Sequence, residues 1–285
     1  MKTVTTVSSI LTLAWLLSAL CFPEFIMMKR KIVVHFIVLT FAIMFIFWGG
    51  MAICAQFGIT LDEYPLLYLP FVIGNWSPAI ASFIILKKSN KVSGMKEWLK
   101  NVFAVKASVY HYLFVAALLV ILTVSLIVPA GLKQIDPLYM FIVWTLGSLV
   151  TGAGMEEAGW RYVLYPELNK KFSYIRSCLV IAPIHIVWHV PLWLALESGP
   201  LGVTSFWSAI FIFGVTFTIG AIHKISKGNV FLCLLFHCMV NAAPMTVMPY
   251  QTIPGVVITS IIMIVISIAA VLLINHKQQR VTSTL

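Results

Sequence analysis

The run LYMFIVWTLGSLVTGAGMEEAGWR, at residues 138–161, joins a membrane-length apolar stretch to two adjacent carboxylates and an arginine. Charged side chains are costly in hydrocarbon, so they usually face a bundle interior or a water-filled cavity. Glu157 and Arg161 are four residues apart, and on a helix they share one face and can pair. Glu156 is turned about 100° from Glu157 and stays free to face another group. The run therefore predicts a polar site enclosed by helices.

The composition of the whole chain indicates the class of protein. Of its 285 residues, 61% are hydrophobic and 10% are charged, and the mean hydropathy is +1.00. Soluble domains are typically about 45–50% apolar and about 25% charged, so an integral membrane protein is predicted. The net charge of +10 does not indicate nucleic acid as a partner, because no basic stripe with interleaved aromatics and no phosphate-binding glycine loop is present. The five scattered cysteines form no CxxC pair and are interpreted as small hydrophobes.

Eight apolar runs after residue 31 are each close to the ~20 residues that a helix needs to cross a bilayer. They cover residues 32–54, 66–86, 109–130, 138–160, 178–196, 204–222, 229–248 and 255–275. The predicted fold is all-α, a polytopic transmembrane helix bundle of eight spans in a single domain, 1–285. A further apolar run at 4–22 leaves three possibilities open for residues 1–28: an extra helix, a signal-like segment, or a true start at Met27 or Met28.

The positions of the basic residues predict the orientation of the bundle. If Lys29–Lys31 is cytoplasmic and the spans alternate from there, nearly all of the 19 Lys and Arg fall in cytoplasmic segments. By the positive-inside rule this bias predicts a multi-pass protein of the cell membrane with a cytoplasmic C-terminus. The longest polar stretch, 87–106, has apolar residues at helical spacing and is predicted to be a loop or an interfacial helix. The many aromatics elsewhere are interpreted as interface belts and lipid-facing side chains.

Two other spans carry polar side chains four residues apart. His185 and His189 share one face of one span, and His237 and Asn241 share one face of another. Burial of such groups without hydrogen-bond partners costs several kcal/mol each, so we expect both pairs and Glu156 to converge on one cavity. The predicted topology places this cavity off-centre, nearer the cytoplasm.

Three polar motifs thus follow one another in a fixed order along the chain. They are Glu156-Glu157-x-x-x-Arg161, His189 followed by Pro191, and His237-x-x-x-Asn241. This order resembles the EExxxR, FxxxH and HxxxN motifs of the CPBP family of intramembrane proteases, which includes CAAX prenyl endopeptidases and bacteriocin-processing and immunity relatives. The resemblance covers about residues 66–250, as a protease-like core, and extends to Trp76-Ser-Pro-Ala-Ile-Ala81. One position departs from the pattern, because this chain has His185 where the family has an aromatic.

The resemblance implies an intramembrane endopeptidase that cleaves a membrane-associated or lipid-modified peptide or protein near the cytoplasmic face. Under it, Glu156 together with His189 activates water, and His237 and Asn241 hold the oxyanion. The supporting residues are Glu157, Arg161 and His185. We interpret His185 as a packing residue, since it replaces an aromatic, although it can also add a polar group to the pocket.

No cofactor is required under this interpretation, and zinc is the possible exception. A carboxylate and two imidazoles could hold Zn²⁺ with an open position for water, and the expected ligands are then Glu156, His189 and His237. The HExxH spacing of zinc proteases is absent from the sequence, so the metal-free form is preferred.

Two other classes of function remain open from the sequence. One is a non-catalytic immunity or scaffold protein of the membrane, to which the departure at His185 gives some weight. The other is a proton-coupled transporter, because chains of Glu and His also serve as proton relays. No inverted repeat is visible in the sequence, so the transporter ranks below the protease.

Overall fold

A computed structural model describes residues 31–196, 203–247 and 252–283, and within these ranges the chain is helical, with no β-strand. Residues 1–28, where an extra helix was considered, lie outside the described residues. The helices, in chain order, are α1 (Lys31–Met44, continued by a π-turn Phe45–Gly49 and by Gly50–Ala55), α2 (Tyr68–Asn75), α3 (Ser77–Lys88), α4 (Met95–Val102), α5 (Val109–Ala130), α6 (Tyr139–Thr151), α7 (a composite segment, Gly154–Glu156, Glu157–Gly159, Trp160–Leu164 and Tyr165–Asn169), α8 (Tyr174–Leu196), α9 (Val203–Ile225), α10 (Val230–Val247) and α11 (Ile253–Ser283).

Six of these helices, α1, α5, α8, α9, α10 and α11, are long and apolar enough to cross a membrane. The pair α2 and α3, bent by 43° at its break, counts as a seventh span if both are taken together. α6 has 13 residues and is shorter than a bilayer requires. Each of the eight predicted runs therefore contains helix, but two of them are interrupted, and the number of eight spans stays a prediction.

The run 138–160 does not form one continuous helix. α6 ends at Thr151, and Gly152 follows with a φ of +99°, a conformation that glycine adopts at little cost. A Cβ added at Gly152 would lie 2.3 Å from Cδ1 of Trp76, so a larger residue would also collide with the start of α3. The chain then continues as α7, through a 3-10 turn, an α-turn and a π-turn.

The inner layer of the bundle consists of α8, α9 and α10. Between 56% and 61% of each of these spans is buried, against 28% for α1, α5 and α11. Three tryptophans, Trp48, Trp160 and Trp188, are fully buried in the core cluster that α1, α7 and α8 share. The interpretation of the aromatics as interface belts and lipid-facing side chains is wrong for these three, because they fill the space around the polar residues.

Several segments that the charge pattern placed in the cytoplasm contact one another at one end of the bundle. Glu167 lies 2.9 Å from Nζ of Lys91 and 2.6 Å from Nζ of Lys170. Nδ2 of Asn229 donates to the carbonyl of Ala104 at 2.9 Å. These contacts join the loops that follow α3, α4, α7 and α9. The assignment of this end to the cytoplasm stays a prediction.

The polar stretch 87–106 contains a short helix, α4, as its spacing predicted. Trp98 is buried and its Nε1 donates to Oγ of Ser82 at 2.9 Å, which fixes α4 against α3. Met95 and Leu99, on the adjoining face, are exposed. One face of α4 is therefore packed against the bundle, and the apolar side chains on its adjoining face are exposed.

Candidate active site

α7 carries the acidic motif and packs unusually close to its neighbours. A Cβ at Gly159 would lie 2.6 Å from the carbonyl oxygen of Pro78 in α3, and one at Gly154 would lie 2.2 Å from Sγ of Cys238 in α10. The two glycines thus let the backbone of α7 rest directly on both helices. The π-turn Trp160–Leu164 follows at once, and such turns inside helices frequently occur at functional sites.

The three charged side chains of the motif are all inside the protein. Glu156, Glu157 and Arg161 are 2%, 0% and 1% exposed. Charged groups in a low-dielectric interior need partners that compensate their lost hydration. The two acids take different partners, and this difference defines the site.

Glu157 is held on both of its oxygens. Its Oε2 lies 3.3 Å from Nη1 of Arg161, and its Oε1 lies 2.8 Å from Nδ1 of His237. The Nη2 of Arg161 also donates to the carbonyl of Thr216 in α9, at 2.9 Å. The pair that the i, i+4 spacing predicted is therefore present, and it links α7 to α9 and α10.

Glu156 faces α8 instead. Its Oε2 lies 2.7 Å from Nε2 of His185, and both side chains are buried. His185 also packs against the rings of Trp160 and Trp188, with centroids 5.4 and 5.8 Å away. Its interpretation as a packing residue is thus incomplete, because the same ring is the hydrogen-bond partner of Glu156.

The contacts of His189 fix which of its nitrogens carries the hydrogen. Nδ1 lies 3.0 Å from the backbone carbonyl of His185, and a carbonyl oxygen can only accept, so Nδ1–H donates. In the neutral ring Nε2 then carries a lone pair. The ring lies beside that of His185, with centroids 4.9 Å apart, and stacks on Trp193 at 5.6 Å. One ligand atom each from Glu156, His185 and His189 lies within 4.8 Å of the others.

His237 and Asn241 occupy the α10 side of the site. The ring of His237 lies 6.4 Å from that of His185, in addition to its contact with Glu157. Asn241 donates from Nδ2 to Oγ of Ser148 in α6 at 3.2 Å. The structure therefore brings Glu156, Glu157, Arg161, His185, His189 and His237 together, and it places Asn241 one helical turn further along, against α6.

The three-residue group in this site differs from the expected zinc ligands. Glu156, His189 and His237 were the expected ligands only if zinc is bound, and in the structure His237 bonds Glu157. Among the described residues, the His, Cys, Asp and Glu set close enough to share an ion is Glu156, His185 and His189. Which histidine meets which acid depends on how α8 and α10 pack against α7, and residue spacing alone does not reveal that.

Several residues that surround the site were not singled out from the sequence. Nε1 of Trp188 donates to Oγ of Ser77 at 3.0 Å, and the ring centroids of Trp48 and Trp188 are 4.4 Å apart. Trp188 lies in the middle of the apolar run 178–196, between His185 and His189, whereas tryptophans of an aromatic belt lie at the ends. That position was the available signal.

Comparison with known proteins agrees with the order of the motifs. The family model described as type II CAAX prenyl endopeptidase Rce1-like matches residues 138–243, a range that contains all six charged and imidazole side chains of the site and Asn241. The CAAX prenyl protease 2 of Methanococcus maripaludis is 24% identical over 219 residues, which cover 71% of this chain and 80% of that protein. The three motifs in order, with their side chains assembled around one buried site, agree with this similarity to CAAX prenyl endopeptidases.

Proposed function

We propose that this chain is an intramembrane endopeptidase that hydrolyses a peptide bond in a membrane-associated or lipid-modified substrate, near the cytoplasmic face. The observation that carries the proposal is that a buried carboxylate oxygen of Glu156 lies within 4.8 Å of a ring nitrogen of His189, in one shared site. The match of residues 138–243 to the type II CAAX prenyl endopeptidase model and the name of the relative support a protease of this type.

In this proposal Glu156 and His189 position and activate the water. The water oxygen attacks the carbonyl carbon of the scissile bond, and its proton passes to the carboxylate of Glu156. The lone pair on Nε2 of His189 accepts a hydrogen bond from the same water and orients it. His185 holds the other side of Glu156 through the 2.7 Å contact, so the carboxylate keeps a fixed orientation while it accepts the proton.

The negative charge that develops on the carbonyl oxygen needs donors, and His237, whose ring centroid lies 6.4 Å from that of His185, can supply one in this proposal. The carboxylate of Glu157 holds Nδ1 of His237 and so fixes the ring, and in this proposal a hydrogen on Nε2 is donated to the oxyanion. Removal of one such donor costs about 2.7–4 kcal/mol of transition-state stabilisation in other hydrolases. Asn241 supplies a second donor if its amide turns from Ser148 toward the substrate.

Collapse of the tetrahedral intermediate completes the reaction. The C–N bond breaks, and the proton held by Glu156 passes to the leaving amine nitrogen. Glu156 returns to its carboxylate form, and the products are a free carboxylate and a free amine. No group is consumed, because water supplies both the hydroxyl and the proton.

The test uses purified protein in lipid nanodiscs and two fluorescent peptides that end in a CAAX sequence, one lipidated and one not. Glu156→Gln and His189→Ala are expected to lower kcat/KM for the cleaved peptide by at least about 100-fold. Glu63→Gln, which changes an exposed acid outside the site, serves as the matched control and should cleave like the wild type. Cleavage by Glu156→Gln at the wild-type rate would overturn the mechanism.

One observation favours a non-catalytic alternative, an immunity or scaffold protein. His185 already occupies an oxygen of Glu156, and a permanently paired carboxylate is a poorer base. Under that alternative neither peptide is cleaved by the wild type, and the cellular phenotype survives Glu156→Gln, His189→Ala and His237→Ala.

A further inference from the structure

We infer that the groove between α1 and α3 binds one anionic phospholipid, with an acyl chain in the groove and the phosphate at its basic end. The groove has a volume of about 540 Å³, which lies within the ~300–1,000 Å³ of ligand-binding sites. None of its lining residues belongs to the candidate active site. The inference therefore goes beyond the proposed function and does not depend on it.

The apolar part of the groove fits one hydrocarbon chain. Its lining includes Leu39, Ala42, Ile84 and Ile85. Along α1 the lining extends from Ile32 to Ala42, and this part of a helix rises ~15 Å. The hydrocarbon core of a bilayer is ~30 Å thick, so the groove is about as deep as one leaflet. A lipid acyl chain has this length and polarity, and the membrane around the protein supplies it.

Polar side chains line the groove toward one end. They are His35, near the start of α1, and Lys88 and Ser89, at the end of α3. All three residues are exposed. The ammonium group of lysine is a common partner of phosphate, and imidazole N–H and hydroxyl groups can also donate to phosphate oxygens. This end of the groove therefore offers three donors to one phosphate group.

The charges at this end of the bundle favour an anion. In the described part of the chain no acid pairs with Lys88, because the acids of this end have other partners. Glu167 lies 2.9 Å from Nζ of Lys91, and Glu97 accepts hydrogen bonds from Ser93. Basic pockets between membrane helices on the cytoplasmic side bind anionic lipid headgroups. The charge pattern of the sequence predicts that same side for this end.

Other occupants match only one part of the groove. A lipid group attached to a substrate peptide carries no phosphate, so it would fill the apolar part and leave Lys88 without a counter-charge. An inorganic phosphate ion would pair with Lys88 and leave the apolar part exposed to water, which is unfavourable. An anionic phospholipid matches both parts, because one molecule carries the hydrocarbon chain and the negative charge.

The experiment counts bound lipids by native mass spectrometry of the full chain in a nonionic detergent. The protein is titrated with phosphatidylglycerol and, separately, with phosphatidylcholine of the same acyl chains. The wild type is expected to retain one phosphatidylglycerol and to bind it at least about fivefold more tightly than phosphatidylcholine. Lys88→Gln should lose about fivefold in affinity for phosphatidylglycerol, which is the effect of one basic residue near a membrane surface. Its affinity for phosphatidylcholine should change little.

Matched variants separate charge from shape. Lys96→Gln removes the same charge from an exposed position on α4, outside the groove, and should bind like the wild type. Ala42→Trp fills the apolar part and should weaken both lipids by at least about tenfold, the effect of two CH₂ groups left unburied. Ala117→Trp adds the same ring at an exposed position on α5 and should have no effect. All four changes are at exposed positions, so the variants should melt like the wild type.

Three results would overturn the inference. One is a wild type that binds the two lipids equally, and another is a Lys88→Gln variant that binds phosphatidylglycerol as tightly as the wild type. The third is one-for-one replacement of the bound lipid by the lipidated peptide, which would assign the groove to the substrate. Cleavage measured on the same samples separates this inference from the proposed function: a wild type that retains one phosphatidylglycerol but cuts neither peptide supports the lipid site and contradicts the protease.

Discussion

At the scale of single residues, the two adjacent acids have opposite tasks. Glu157 is bonded to Arg161 and His237 and is the structural carboxylate, whereas Glu156 has His185 alone among these contacts and faces the site. The i, i+4 spacing predicted the first pair because both residues lie on one helical segment. It did not predict the contact of Glu156 with His185, because these two residues lie on different helices, and spacing along the chain does not tell how α7 and α8 pack.

This difference gives a prediction for Glu157→Gln. The change leaves Arg161 buried without its charge partner, and breaking a buried ion pair typically costs about 3–5 kcal/mol. We expect a clear fall in the melting temperature of the detergent-purified protein and a lower yield of folded material. Glu156→Gln keeps a hydrogen bond to His185, so its free energy of unfolding should lie within about 1 kcal/mol of the wild-type value. Equal melting of the two variants would contradict the assignment.

His237 allows a second prediction at this scale. In His237→Gln the amide can still bond Glu157, but the ring nitrogen proposed to donate to the oxyanion is gone. We expect kcat to fall by about 100-fold or more with little change in KM, since the lost interaction forms mainly in the transition state. Steady-state cleavage of the lipidated peptide measures both constants. A rise in KM at unchanged kcat would mean that His237 binds substrate in the ground state.

At the scale of elements, the apolar runs predicted where helices lie but not where they break. Long hydrocarbon-compatible segments follow from the thickness of the bilayer. The end of α6 at Thr151 depends on the close contact between Gly152 and Trp76, which are distant in sequence. Only the folded arrangement shows it. The same holds for the bend between α2 and α3.

The contact at Gly152 can be tested with a double-mutant cycle. Gly152→Ala is strained by its φ of +99° and by a collision with the ring of Trp76. The positive φ alone costs about 1–2 kcal/mol, and the collision adds to it. We expect Gly152→Ala to destabilise the wild type more than it destabilises a Trp76→Ala background, where only the backbone term remains. Unfolding in detergent by urea or heat measures both, and equal effects would mean that the ring does not set the break.

At the scale of the whole molecule, electrostatic contacts connect loops that the charge pattern had grouped on one side. Burial acts to raise the pKa of Glu167, but the hydrogen bonds from Lys170 and Lys91 outweigh it and lower the pKa to about 2. The positions of lysines along the sequence predicted that these loops share a side. The role of Glu167, which pairs with Lys91 and Lys170, could not be recognised from the sequence, because nothing around it distinguishes it from an ordinary loop residue.

This contact predicts a pH dependence. Because the folded pKa of Glu167 lies below the unfolded value of about 4.3, its stabilisation is present above that value and is lost as the pH falls toward 2. Both lysines are substantially exposed, so we expect a contribution of about 1 kcal/mol. The melting temperature of the wild type should therefore fall more steeply between pH 5 and 3 than that of Glu167→Gln. Glu63→Gln should keep the wild-type slope, and identical slopes for all three would contradict the contact.

The tryptophans packed around His185 have one more consequence. The ring centroids of Trp48 and Trp160 lie 4.4 and 5.9 Å from that of Trp188 in the core, and Trp160 and Trp188 pack against the imidazole that faces Glu156. Indole emission is sensitive to nearby charge and to paramagnetic ions. Changes in charge or in bound ions beside the acids should therefore alter the intrinsic tryptophan fluorescence, which can be measured without a dye or a label.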